Sequence, residues 1–121
     1  MKNLFLIMEE YMIGDIIKVI VDRPLGSYHP KHKDIYYPIN YGYVEGVFAA
    51  DQEEQDVYIV GVDKPLKEFT GEVIAIIHRL NDVEDKWVVA PIGSHYSKEE
   101  IRKLVFFQEQ YFEFDIFVKD K

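Results

Sequence analysis

Two short acidic stretches carry the residues with the most chemical potential in this chain. Asp51, Glu53 and Asp56 fall within six positions, and Asp82, Glu84 and Asp85 run directly into Lys86. Carboxylates this dense repel one another unless something cationic sits between them. Hard divalent ions such as Mg²⁺ favour oxygen ligands of this kind. A convergent carboxylate site holding such ions suits phosphoryl chemistry, because the ions neutralise phosphate oxygens and one of them lowers the pKa of a bound water. Lys86 would then offer its charge to a phosphate oxygen, and hydroxyls from the tyrosine-rich run Tyr36–Tyr43 would orient water or leaving group. Taken alone, an acidic cluster is as well explained by a solvated turn between strands.

Both stretches do fall between strand signals. Asp15–Asp22 is β-branched and bounded by Gly14 and Pro24. Tyr41–Phe48 and Asp56–Val62 flank the first acidic turn, and Gly71–Leu80 and Lys86–Ala90 flank the second. Short strands separated by turn signals predict a mainly β (α+β) chain, a small closed or partly open barrel. The two turns would converge at one mouth of that barrel, setting Asp51, Glu53 and Asp56 opposite Asp82 and Asp85. Ser97 and Glu100 have the spacing of a capping box. Ile101, Leu104, Val105, Gln108, Tyr111 and Phe112 then recur at helical spacing, which predicts one helix over the barrel. Phe114–Val118 is expected as a tail strand. Arg23–Asp34 reads as a loop, since Pro24, Gly26 and Pro30 leave no room for a long element. It holds Arg23, His29, Lys31, His32 and Lys33, the densest positive patch, which is either solvated or a mobile anion clamp.

The 121 residues suffice for one domain with a core and are too few for two, so 1–121 is expected to form a single domain. A net charge of −8 disfavours nucleic acid and anionic membrane as partners, because both are bound by clustered Lys and Arg. The absence of cysteine excludes disulfides, thiolate-ligated zinc and thiol catalysis, and fits a cytoplasmic setting. Met1–Met8 is apolar only briefly before Glu9-Glu10, and is expected as a first strand or arm rather than a signal peptide.

The run Tyr37-Pro38-Ile39-Asn40-Tyr41-Gly42-Tyr43, followed ten residues after Tyr41 by Asp51-Gln52-Glu53-Glu54-Gln55-Asp56-Val57, closely resembles the family I soluble inorganic pyrophosphatases. Asp82…Asp85-Lys86 before Val-Val-Ala-Pro, and Glu109-Gln110-Tyr111 near the C-terminus, extend the resemblance over roughly Ile16 to Phe112. The resemblance implies a five-stranded OB-like barrel with flanking helices, Mg²⁺ as cofactor, and hydrolysis of pyrophosphate to two phosphates. It also implies a homo-oligomer, for which Phe106–Phe117 is the candidate interface. Carried over by position, it makes Asp51, Asp56 and Asp82 metal ligands, joined by Asp85 unless Glu84 takes that place. It makes Glu53 the carboxylate that activates the attacking water, and Lys86, Tyr41 and Tyr111 phosphate contacts. Asp22 matches a family glutamate at the edge of the site.

Departures from the family pattern are specific. Glu53 replaces an Asp, and a misplacement on the order of 1 Å can cost about a hundredfold in rate. Gln52, Glu54 and Gln55 replace a small residue, a Pro and an apolar residue of the signature, and Phe112 stands where the family has a Lys. The family hairpin that carries a phosphate-binding Lys and Arg is recast as Gly26–Asp34, leaving Arg23, Lys31 and Lys33 as the replacement clamp. Metal ligation is thus better preserved than phosphate clamping. Two alternatives stand beside pyrophosphate hydrolysis: a non-catalytic metal- or phosphate-binding or interaction domain, and a hydrolase of another phosphoanhydride.

Overall fold

The structure, a computed structural model, describes residues 13–81 and 84–118; Met1–Met8 and Asp82 lie outside them. Among the described residues, six strands and one helix follow in the order β1 (Ile16–Arg23), β2 (Asn40–Phe48), β3 (Glu54–Ile59), β4 (Glu68–Arg79), β5 (Asp85–Ala90), α1 (Lys98–Glu109) and β6 (Phe114–Val118). Neighbours run β1-β2-β3-β5-β4, and β4 pairs back onto β1, which closes a five-stranded barrel. β4 is long enough to serve twice. Its first residues pair with β1, and its second half pairs with β5 on one edge and β6 on the other. The described residues therefore have the expected mainly β, OB-like architecture: a small barrel, one added strand and a C-terminal helix.

Strand alternation sorts side chains into two layers. Val19, Val44, Val57, Ile59, Val73, Trp87 and Val89 fill the barrel interior. Tyr41, Tyr58, Val60, Ile77 and Val88 point outward and pack beneath Ile101 and Val105 of α1. Burying one Val or Ile side chain contributes roughly 1.5–3 kcal/mol, so both layers stabilise the barrel. The filled interior leaves no room for chemistry, and the site lies on the outer, helix-covered face rather than in the barrel's mouth.

Parallel pairing of β3 with β5 brings Asp56 of the first acidic stretch together with Glu84 and Lys86 of the second. Val57 is paired with Trp87 and Tyr58 with Val88, so both strands begin at the same end of the barrel. Each is preceded by its acidic turn, and Asp56 falls beside Lys86 on the outward face. A bulge in β1 makes a second adjustment: Val21 pairs with Gly42, but the next partner, Tyr41, faces Arg23 rather than Asp22. An inserted residue of this kind re-aims the side chains after it. Here it gives Arg23 the position that regular pairing would have given Asp22. Gly42 is required at this crossing, because a Cβ there would collide with the Ile20 carbonyl.

Ser97 caps α1 as expected: its Oγ accepts from the Glu100 N–H, and the Glu100 carboxylate accepts from the Ser97 N–H. The helix stops before the apolar spacing does. Gln110 is its C-cap, and Tyr111 and Phe112 lie in the following turn, because Phe114–Val118 is drawn into pairing with β4. Among the described residues no helix is long and apolar enough to cross a membrane.

Candidate active site

Lys86 is the centre of the site. Its Nζ donates to Asp56 Oδ2 at 2.6 Å, to Glu84 Oε2 at 2.7 Å and to the Tyr41 hydroxyl at 3.1 Å. Burial alone would lower the affinity of this ammonium for its proton. Tyr41, Asp56 and Glu84 outweigh that effect and hold the pKa above the ordinary lysine value. Burial likewise pushes the Tyr41 hydroxyl well up, only partly opposed by Lys86. Tyr41 is therefore a neutral phenol whose oxygen already accepts from Lys86, which leaves its own proton to donate. Burial raises the Glu84 carboxyl, Lys86 opposes the rise, and the charges of Asp56 and Asp51 add to it.

Lys86, Asp56 and Tyr41 form one wall of a cleft of about 470 Å³. Arg23, His29 and His32 bring positive or hydrogen-bond-donating groups to it, and Tyr111 and Phe112 border it from beyond the end of α1. The loop after β1 is tied down rather than loose. Gly26 N–H donates to Tyr37 O at 2.8 Å, Tyr37 N–H to Ser27 O at 2.9 Å and His29 N–H to Ile35 O at 3.0 Å. Tyr28 and Tyr36 are bridged across it. Asn40 fastens the loop's start to the β3–β4 connection: its Oδ1 accepts from Leu25 N–H at 2.9 Å and Leu66 N–H at 3.0 Å. The Asn of the tyrosine-rich run is thus scaffolding.

A relay of buried polar groups supports the cleft floor. Arg23 donates to the Tyr37 hydroxyl (2.6 Å), Tyr37 to Gln108 Oε1 (2.6 Å), Gln108 Nε2 to the Tyr58 hydroxyl (2.8 Å) and Tyr58 to Glu109 Oε2 (2.6 Å). Arg79 closes it with two bonds to the Glu109 carboxylate, at 3.0 and 2.7 Å, and lies 3.7 Å over the Phe112 ring. Burial, reinforced by Glu109, pushes the Tyr58 hydroxyl far up. The four bonds from Arg23 to Glu109 share one donor direction, which lets neighbouring bonds polarise one another, and Arg79 donates to the same carboxylate from the other end.

The structure divides the candidate residues into two sets. Asp56, Lys86, Tyr41, Arg23 and Tyr111 meet at the cleft. Asp51 stands at the first acidic turn, where its Oδ1 accepts from Glu53 N–H at 3.0 Å. Glu53 is exposed in that turn and is not among the cleft's lining residues. Asp85 alternates to the opposite face of β5 from Lys86 and binds His78 Nδ1 at 2.8 Å, so Glu84 is the acidic residue beside the lysine. Lys31 and Lys33 are exposed and also absent from the lining, whereas His29 and His32 of the same loop take part in it. Asp22 is exposed, and the bulge has replaced it with Arg23.

Arg79, Tyr58 and Gln108 carry no sequence signal of a supporting role, since Arg79 and Tyr58 fall inside strand runs and Gln108 is one position of the helical spacing. Tyr37 lies in the tyrosine-rich run expected to orient water or leaving group, and its hydroxyl instead links Arg23 to Gln108. A divalent ion is chemically compatible with the donor set, since Asp51, Asp56 and Glu84 offer only carboxylate oxygens and feel one another's charge. Among the described residues, however, no three carboxylates or histidines are grouped to hold a metal ion.

No family model matches the chain, and no curated protein sequence matches it. Solved structures do. An inorganic pyrophosphatase from Ehrlichia chaffeensis superimposes with a TM-score of 0.66 at 16% identity, covering 89% of this chain and 91% of that one. One from Neisseria gonorrhoeae gives 0.62 at 22%, covering 81% and 74%. A third, from Helicobacter pylori, gives 0.58 at 17%, covering 91% and 87%. The chain therefore has the OB-like fold of these bacterial pyrophosphatases; at such identities, the likeness concerns the fold.

Proposed function

We propose that this chain hydrolyses a small phosphoanhydride, inorganic pyrophosphate in the first place, with the help of a divalent cation. The observation that carries the reading is the Lys86 ammonium held between Asp56, Glu84 and Tyr41 at the wall of a cleft lined also by Arg23. The fold shared with bacterial inorganic pyrophosphatases supports it. Lys86 would meet a bridging or terminal phosphate oxygen, Tyr41 would donate its proton to another, and Arg23 would contribute the guanidinium N–H groups not spent on Tyr37. Asp56, whose side chain is 30% exposed, keeps a solvent-facing edge that can orient water against the substrate. The carboxylates open to a Mg²⁺ ion would be Asp56 and Glu84 beside Lys86, which do not by themselves make a three-carboxylate group, joined by Asp82 as the resemblance implies. When bound, such an ion neutralises phosphate oxygens and makes its own water more acidic.

Phosphate release from Mg-pyrophosphate, measured on the purified protein and on Asp56→Asn, tests the reading. Turnover that needs Mg²⁺ and falls by about a hundredfold or more in the variant is the expected result. Absence of turnover in a folded protein would leave the second reading, a phosphate-binding domain without hydrolysis. Two observations favour that second reading: Asp56 and Glu84 are both already engaged by Lys86, and Glu53 stands away from the cleft.

A further inference from the structure

His29 lines the cleft alongside Arg23, and its ring is fixed by its own loop. Its Nδ1 lies 3.0 Å from Lys31 N and 3.1 Å from His32 N. A backbone N–H can only donate, so Nδ1 must be the acceptor of both bonds and carries no proton. The proton of the neutral imidazole is thereby assigned to Nε2, the nitrogen without a partner in the loop. Backbone pairing of His29 with Ile35 prevents the segment from sliding, so the donor is held in place before any ligand arrives.

Tyr37 then places His29 and Arg23 as a pair. The His29 ring lies over the Tyr37 ring at 6.5 Å between centroids and 24° between planes, and the Tyr37 hydroxyl accepts from Arg23 at 2.6 Å. One buried tyrosine thus contacts both the imidazole and the guanidinium, whose carbon lies 5.7 Å from the Tyr37 ring centre, and both residues line the same cleft. Burial holds the His29 pKa below the ordinary imidazole value; Arg23, His32 and Lys31 reinforce this, and only Asp34 opposes it. That agrees with a ring that stays neutral at Nδ1. The lysines of the same loop are exposed and outside the cleft.

We infer that His29 and Arg23 form a phosphate subsite in which a fixed Nε2–H and a guanidinium bind the same anionic group. The naming of phosphate rests on the proposed function; the donor geometry does not. The subsite replaces the lysine clamp expected from the sequence with an imidazole of set tautomer.

Calorimetric titration of the protein with inorganic phosphate, in a chelator-containing buffer, tests this together with long-range nitrogen–proton spectra of the imidazoles. The spectra should place the His29 proton on Nε2. His29→Asn should bind phosphate about tenfold more weakly, the usual loss for one hydrogen bond to a charged group. An Asn at this position retains an oxygen that accepts from the N–H two residues on, so the loop keeps its shape while the distal donor is removed. The Lys31→Ala/Lys33→Ala double variant should bind as tightly as the parent. A proton on Nδ1, equal affinity in His29→Asn, or no phosphate binding by the parent would each overturn the inference. Phosphate binding that depends on His29 in a protein without pyrophosphate turnover would support the subsite and retire the hydrolase reading; turnover with a KM indifferent to His29→Asn would do the reverse.

Discussion

Two buried pairings of a cation with carboxylate border the same cleft, and they are built differently. Arg79 and Glu109 are sealed, with side chains 7% and 0% exposed, and the guanidinium grips both carboxylate oxygens. Lys86 is as deeply buried, but its partners Asp56 and Glu84 are 30% and 16% exposed and each gives it one bond. The difference follows from the cations. A planar guanidinium fits a carboxylate with two parallel bonds, whereas an ammonium is a point charge whose donors turn freely among partners. The first arrangement locks the end of α1 to β4. The second leaves both of its carboxylates partly open to solvent, as the proposed binding of an anion at Lys86 requires.

Removing one partner from each assembly should therefore give opposite profiles. Glu109→Ala strips the buried Arg79 of the carboxylate that holds it and breaks the relay at Tyr58. Stability should fall by about 3–5 kcal/mol, the usual range when one member of a buried pair is deleted. Chemical denaturation checks it; a loss below about 1 kcal/mol would mean the sealed pair is no keystone. Lys86→Met should be milder in stability, because water reaches Asp56 and Glu84, yet should abolish phosphate release from pyrophosphate to below about a hundredth of the parent rate. If both variants cost stability alike and neither touches turnover, the division between a structural and a chemical pair fails.

The smallest effect concerns pH. Glu84 has its pKa raised above the ordinary value of 4.5, first by burial, and then by Asp56 and Asp51 against the opposing pull of Lys86. A carboxyl with a raised folded-state pKa contributes stability that is complete below the unfolded value and is lost as pH rises through the folded one. Relative to Glu84→Gln, the parent should thus lose stability as pH climbs from about 4.5 in metal-free buffer. Parallel pH–stability curves for the two proteins would show that Lys86 fully compensates this carboxylate and that the open assembly is as satisfied as the sealed one.

Much was determined by the sequence itself. The strands' existence and order followed from β-branched runs between turn residues, the helix start from Ser97 and Glu100, and the tail strand from the apolar pattern of Phe114–Val118; β3 runs Glu54–Ile59 rather than Asp56–Val62, and β4 begins at Glu68 rather than Gly71 because its first residues pair with β1. These are local preferences, in which a few neighbouring residues settle the backbone. The tyrosine-rich run, the first acidic turn and Lys86 were legible as a group because their order resembles a known family.

What remained belonged to tertiary structure. The parallel pairing of β3 with β5 joins residues thirty positions apart and sets Asp56 against Lys86, and no local signal announces it. Side-chain alternation then gave Glu84, not Asp85, to the lysine, since a single step along a strand reverses the face. The bulge in β1 made the corresponding choice of Arg23 over Asp22. Histidine rather than lysine came to the cleft because loop hydrogen bonds, which depend on the path of the whole segment, decide which side chains turn inward. Composition supplied the chemical groups, while pairing, register and one extra residue in a strand decided which of them face one another, because facing is a property of two chain segments and periodicity describes only one.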